Sequence, residues 1–160
     1  MDKPKIYLET TMFNFYYAPD APGYEEYKAQ VRRVFDLIRA GTYEPYTSPY
    51  ATEELEATAA ESRRLEMLKL IPDCGVKILQ KTPEVERLAG LYLTGEAVPV
   101  GFYTDALHIA MTTVYGLDFI VSLNFQHIVR EKTIRITGAI NIREGYQAIG
   151  IYKPLEVLSL

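Results

Sequence analysis

The stretch from Phe102 to Ile128, FYTDALHIAMTTVYGLDFIVSLNFQHI, constrains the fold most, because it joins a helical pattern to a strand pattern through one short turn. Leu107, Ala110, Met111 and Val114 recur at i, i+3, i+4 and i+7, the spacing of a single apolar stripe on a helix. Thr104 reads as its N-cap and Gly116 as its stop. Asp118 to Ser122 is a short apolar run between polar residues, which suits a buried strand of a parallel sheet. Leu123-Asn124 then leaves the strand and is expected to open another helix. Asp105 in a first helical turn and a polar cluster just past a strand end occupy the positions where open α/β sheets bind ligands.

The rest of the chain repeats that alternation. Ile6-Tyr7-Leu8 reads as a strand that delivers Glu9, Thr10 and Thr11. Phe13, Phe15, Tyr16, Tyr17, Tyr24 and Tyr27 form an aromatic segment around the loop 18–23, suited to core packing, a protein contact or RNA stacking. Val31, Val34, Phe35 and Ile38 are helically spaced before Gly41. Tyr43 to Ser48 reads as a second strand that Pro45 weakens, placing it near a sheet edge or making it irregular. Thr52 is a candidate cap for a helix carrying Glu53, Glu54 and Glu56. Glu61 to Ile71 continues as helix, Pro72 to Gly75 reads as a turn, and Val76 to Leu79 reads as a third strand. Thr82-Pro83 opens a helix that Gly95 closes. Thr133 to Asn141 reads as a polar, extended connection, Ile149 to Tyr152 as a last strand, and Pro154 to Leu158 as a turn or short helix. Strands alternating with helices predict one α/β domain over residues 1–160, with a mainly parallel sheet between two helical layers.

Composition narrows the function. At 160 residues and 48% hydrophobic, the chain suffices for one real core. A net charge of -4 argues against an indiscriminate nucleic-acid coat but leaves room for a local basic patch. Residues 130–153 supply one, with Arg130, Lys132, Arg135, Arg143 and Lys153 against Glu131 and Glu144, either a phosphate path or a solvated rim. One cysteine, Cys74, excludes an internal disulfide framework and a thiolate cluster, and fits a reducing cytosol. No long apolar run or signal peptide stands out, so a cytoplasmic protein with no membrane partner is expected. No glycine-rich phosphate loop is present, which speaks against dinucleotide and P-loop chemistry.

In a parallel sheet the C-terminal strand ends share one edge, so Glu9, the helix start after the second strand, Asp105 and Asn124 can converge. Two full charges about 4 Å apart repel by roughly 1 to 4 kcal/mol, so such a cluster calls for counter-charge. Without a thiol or multi-histidine set, hard divalent cations with oxygen ligands, Mg²⁺ or Mn²⁺, are the natural partners.

The string TDALHIAMTTVYGLDFIVSLNFQHI resembles the signature of PIN-domain ribonucleases. The segments IYLETT and SPYATEELEAT resemble that family's first strand and its next strand-to-helix junction. Asn141, Gly145-Tyr146 and the closing IYKPLEV resemble the tail of its VapC-like toxin subgroup. The resemblance implies a PIN-like three-layer α/β/α fold with Glu9, Glu54 and Asp105 as metal carboxylates and Asn124 at the fourth position. Glu54 is chosen over Glu53 because the family's acid immediately precedes a leucine, here Leu55. It further implies Mg²⁺- or Mn²⁺-dependent endonucleolytic cleavage of RNA to a 5′-phosphate and a 3′-hydroxyl, a toxin-antitoxin setting with a small antitoxin partner, and a homodimer. Two departures stand out: Glu9 replaces the commoner Asp, and Asn124 replaces an Asp, so the site carries one charge less.

Around those residues, Thr10 and Ser122 are candidates to orient ligands or to cap backbone, and His127 and Arg130 to reach substrate. His108 reads as a packed core histidine or as a brace for Asp105. Asp105 is expected to be held ionised by its helix N-terminus. The alternative function is a catalytically silent PIN-like module that binds protein or RNA.

Overall fold

The computed structural model describes residues 2–160. Five strands, β1 (Lys5–Leu8), β2 (Glu44–Thr47), β3 (Lys77–Ile78), β4 (Phe119–Val121) and β5 (Gly150–Tyr152), form one sheet in the order β3-β2-β1-β4-β5. Every pairing is parallel. The helices are α1 (Thr10–Tyr16), α2 (Glu25–Arg39), α3 (Pro49–Glu56), α4 (Glu61–Asp73), α5 (Pro83–Thr94), α6 (Tyr103–Val114), α7 (Glu131–Arg143) and α8 (Pro154–Leu158).

The period-two alternation of the strands divides the core between two faces. Ile6, Leu8, Phe119 and Val121 pack with residues of α1, α2, α4 and α8, including Phe13, Phe35, Met67 and Val157. Tyr7 and Ile120 face the other way, onto α5 and α6 through Leu88, Tyr92, Ile109 and Met111. The expected three-layer α/β/α architecture is therefore present, and its sheet is wholly parallel. Each large apolar side chain fully buried in these layers contributes about 1.5–3 kcal/mol, which ties the helices to the sheet.

Pro45 does not mark an edge: β2 lies inside the sheet, between β3 and β1. The Glu44 N–H donates to Pro4 O on the β1 side, so strand alternation turns position 45 the other way. There β3 begins only opposite Tyr46, and the missing proline N–H costs no ladder bond.

Several boundaries also move. α3 starts at Pro49 after Ser48, and Thr52 lies within it, its hydroxyl donating to Pro49 O. α4 runs through Pro72 to Asp73, so the turn is left to Cys74 and Gly75. α6 starts at Tyr103, not after Thr104, because a turn from Pro99 to Phe102 with Gly101 at φ +94° feeds the helix directly. Asn124 opens turns rather than a helix, its carbonyl accepting from Ile128 N and Val129 N. Thr133 to Asn141 is not extended; it lies within α7. The buried stripe of α7 is Thr133, Thr137, Ile140 and Asn141, helically spaced but mostly polar, and a hydrophobicity pattern does not register it.

Candidate active site

The strand order reverses direction between β1 and β4, and the crevice outside the carboxyl ends at such a point is where open α/β sheets bind ligands. Leu8 pairs with Val121 at the ends of those strands, so the next residues, Glu9 and Ser122, emerge side by side. Glu9 is N-cap of α1, buried, and its Oε1 accepts from Thr11 N (3.1 Å), Thr11 Oγ1 (2.5 Å) and Ser122 Oγ (2.6 Å). Ser122 Oγ in turn accepts from Asn124 N at 2.9 Å.

Glu54 enters from α3 with its side chain 43% exposed. Its Oε1 accepts from Thr10 Oγ1 at 2.6 Å and meets His108 Nε2 at 2.7 Å. His108, from α6, is wholly buried, and its Nδ1 lies 2.6 Å from the Tyr7 hydroxyl, itself 2.7 Å from Ser48 Oγ. Asp105 lies one turn earlier on α6. Its Oδ1 accepts from Asn124 Nδ2 at 3.3 Å, and its Oδ2 lies 3.0 Å from His127 Nδ1. The Asn124 side-chain oxygen accepts from His127 N at 3.0 Å, and the His127 ring packs on Phe102 with centroids 3.8 Å apart.

Each of the chain's two histidines therefore pairs with one of the candidate acids. Of the three acids, Glu54 hydrogen-bonds the His108 ring, and the charges of Glu9 and Asp105 also act on it. Burial works against the imidazolium, but the Glu54 hydrogen bond and the three carboxylates outweigh it and raise His108 above the ordinary histidine value. Burial also pushes Glu54 up, yet His108 and the Thr10 hydroxyl overcome it, and Glu54 lies below the ordinary carboxylate value.

Glu9 goes the other way: burial raises its carboxyl despite the His108 charge and the hydroxyls of Ser122 and Thr11. Asp105 is likewise raised by burial, against the pull of His108 and His127. Desolvation thus raises the Asp105 carboxyl although it stands in the first turn of α6.

His108 braces Glu54 rather than Asp105. Thr10 and Ser122 orient carboxylates, on Glu54 and Glu9 respectively. Arg130 is N-cap of α7, with Nε donating to Thr133 Oγ1 and an NH2 nitrogen to Ala97 O, while it also lines a groove of about 940 Å³ with Tyr27, Phe125, Ile134, Lys153 and Leu155. The basic segment is no bare strip: Arg135 pairs with Glu131, and Arg143 shares Glu144 with Arg87. Asn141 is buried, accepting from the Tyr92 hydroxyl and donating to Thr113 Oγ1, so it joins α7 to α5 and α6.

Three participants were not singled out by sequence reasoning: Tyr7, Ser48 and Thr11. The position of Ser48 just past a strand end was the available signal. Tyr7 looked like an ordinary strand residue.

The donor chemistry of this crevice suits a hard cation. Its acids offer only oxygen, and burial raises the carboxyls of Glu9 and Asp105 by desolvation. Among the described residues no group of three or more acidic, imidazole or thiol side chains is arranged to enclose a metal ion. Mg²⁺ characteristically binds through one or two carboxylates and keeps several waters, so the residues fit such an ion in kind without forming a closed cage.

No family model and no curated protein sequence matches the chain. Among solved structures, the chain is similar to VapC20 of Mycobacterium tuberculosis, described as a sarcin-ricin loop cleaving toxin. The two share 14% identity at a TM-score of 0.55 over 72% of this chain and 86% of that one. The fold is thus PIN-like, of the kind seen in VapC toxins.

Proposed function

We propose that the chain is a divalent-metal-dependent endoribonuclease acting as the toxin of a toxin-antitoxin pair. The observation that supports this reading is that Glu9, Glu54 and Asp105 are each tied by hydrogen bonds into the loops and helices beyond the strand ends, at the switch point of a VapC-like sheet. Glu9, Glu54 and Asp105, with Asn124, are the residues that would hold Mg²⁺ or Mn²⁺. When bound, the ion supplies phosphate polarisation and a water of lowered pKa.

The chain's own residues do the rest. Thr11 and Ser122 fix Glu9, Thr10 and His108 fix Glu54, and Asn124 and His127 fix Asp105, so the acids are oriented before substrate arrives. His127, beside the exposed Phe102, and Arg130, which lines the groove, are the substrate contacts in this reading. An RNA substrate, a small antitoxin, a homodimer and a cytoplasmic location complete it. None of the helices among the described residues is long and apolar enough to cross a membrane.

The test is Mn²⁺ titration calorimetry alongside cleavage of an RNA pool. Saturable binding and cleavage, both lost in Asp105→Asn, are the expected results. Cleavage that is unchanged in Asp105→Asn rejects the reading. The Asn124 amide and the lack of a closed ligand cage favour a second reading, a catalytically silent module, which no Mn²⁺ binding at millimolar metal would select.

A further inference from the structure

We infer that His108 is a positioning residue for this site: its Nε2–H holds Glu54 by one oxygen, and the imidazole is itself locked by Tyr7 and Ser48. The inference rests on the proposed function and names the device that sets one of its acids. Glu54 projects from a short helix with nearly half of its side chain in solvent, where water alone would satisfy the carboxylate. It is nevertheless tied to two interior elements. His108 comes from α6, and Tyr7, wholly buried, comes from β1, the central strand.

The hydrogen-bond directions follow from chemistry. An ionised carboxylate only accepts, so the 2.7 Å contact requires hydrogen on Nε2 of His108, whether the ring is neutral or cationic. The Nδ1–H tautomer would set two lone pairs against each other. In the neutral ring Nδ1 accepts from the Tyr7 hydroxyl at 2.6 Å, and Tyr7 accepts from Ser48 at 2.7 Å. The array runs Ser48, Tyr7, His108, Glu54 and crosses β1, α3, α6 and the residue after β2. Thr10 supplies the second donor to Oε1, so that oxygen is taken twice and neither contact uses Oε2.

A structural role alone would predict something different. Buried Tyr7 and His108 need partners for stability, and any acceptor would serve. A positioning role requires the donor specifically at Nε2. Glutamine places its amide N–H near that position, whereas asparagine reaches only as far as Nδ1. His108→Asn is therefore expected to weaken Mn²⁺ binding by about 10–100-fold, the range for partners of metal ligands, and His108→Gln to restore most of it. If His108→Asn does not fold, Tyr7→Phe, which frees Nδ1 and keeps the ring, is expected to show a smaller loss in the same direction. Mn²⁺ affinity equal to wild type in each folded variant overturns the inference.

A second measurement needs neither metal nor cleavage. In the ring-nitrogen NMR spectrum of the histidine-labelled full chain, His108 is expected to carry its proton at Nε2, with a resonance that moves in Glu54→Gln. A neutral Nδ1–H ring, or a signal unmoved by Glu54→Gln, overturns the inference. Should wild-type protein bind no Mn²⁺, the metal reading fails, and the inference is decided by this spectrum.

Discussion

Asn124 Nδ2 donates to Asp105 Oδ1 across 3.3 Å, and the same side chain's oxygen caps His127 N. The amide thus joins the turn after β4 to the first turn of α6 without adding charge. Replacing it with a carboxylate keeps the cap but turns an attraction into a repulsion on the order of 1–4 kcal/mol. Asn124→Asp is expected to lower the unfolding midpoint in EDTA, and Mn²⁺ is expected to restore it and bind more tightly than to wild type. Parallel thermal melts and calorimetry check this; a variant as stable as wild type in EDTA with unaltered Mn²⁺ affinity would refute it.

Glu9 gives a pH signature. Its folded carboxyl lies above the ordinary value of 4.5, so the folded state holds the proton more tightly than the unfolded chain. The contribution to stability is complete below that ordinary value and is lost as pH rises through the raised one. Asp105 has the same sign, whereas Glu54 has the opposite one. Comparison with Glu9→Gln isolates Glu9, since the amide oxygen still accepts from Thr11 and Ser122. In EDTA, the midpoint of Glu9→Gln relative to wild type is expected to climb as pH rises from about 4 toward neutrality. A difference independent of pH would count against the buried charge.

Tyr92 and Asn141 form a buried polar contact under α7. Tyr92→Phe keeps the ring in the core and removes the donor to Asn141 Oδ1. Leaving that oxygen unpaired costs about 1–3 kcal/mol, to be read as a lower urea midpoint with an unchanged slope. Mn²⁺ binding should be unaffected, because the contact lies outside the acid cluster.

Thr82 caps α5, its hydroxyl accepting from Val85 N at 3.2 Å ahead of Pro83. Thr82→Ala is expected to cost about 1 kcal/mol in the same urea experiment. A loss near zero would show that α5 is held by its packing on α6 and α7 and not by its cap.

Much of the site was legible because two of its acids sit at punctuation points. Glu9 directly follows β1 and Asp105 lies in the first turn of α6, whereas Glu54 stands in the last turn of α3, the helix after β2, not at its start. A parallel sheet brings such positions to one edge by topology, with no knowledge of side-chain contacts. The burial that raises Glu9 and Asp105 was not legible, because desolvation depends on what covers a residue from other elements. Nor was α7, whose inward face of Thr133, Thr137 and Asn141 reads as polar loop until its partners are known.

By itself, the sequence determined the alternation of strands and helices except for α7, and the polar residues that follow β1 and β4, since period and turn chemistry are local. It also determined that one Asn stands among the acids. Only the tertiary structure decided which groups meet: Tyr7 and His108 lie 101 residues apart, and His108 and Glu54 lie 54 apart. No local pattern encodes those contacts, because they exist only once β1, α3 and α6 have packed and excluded water from between them.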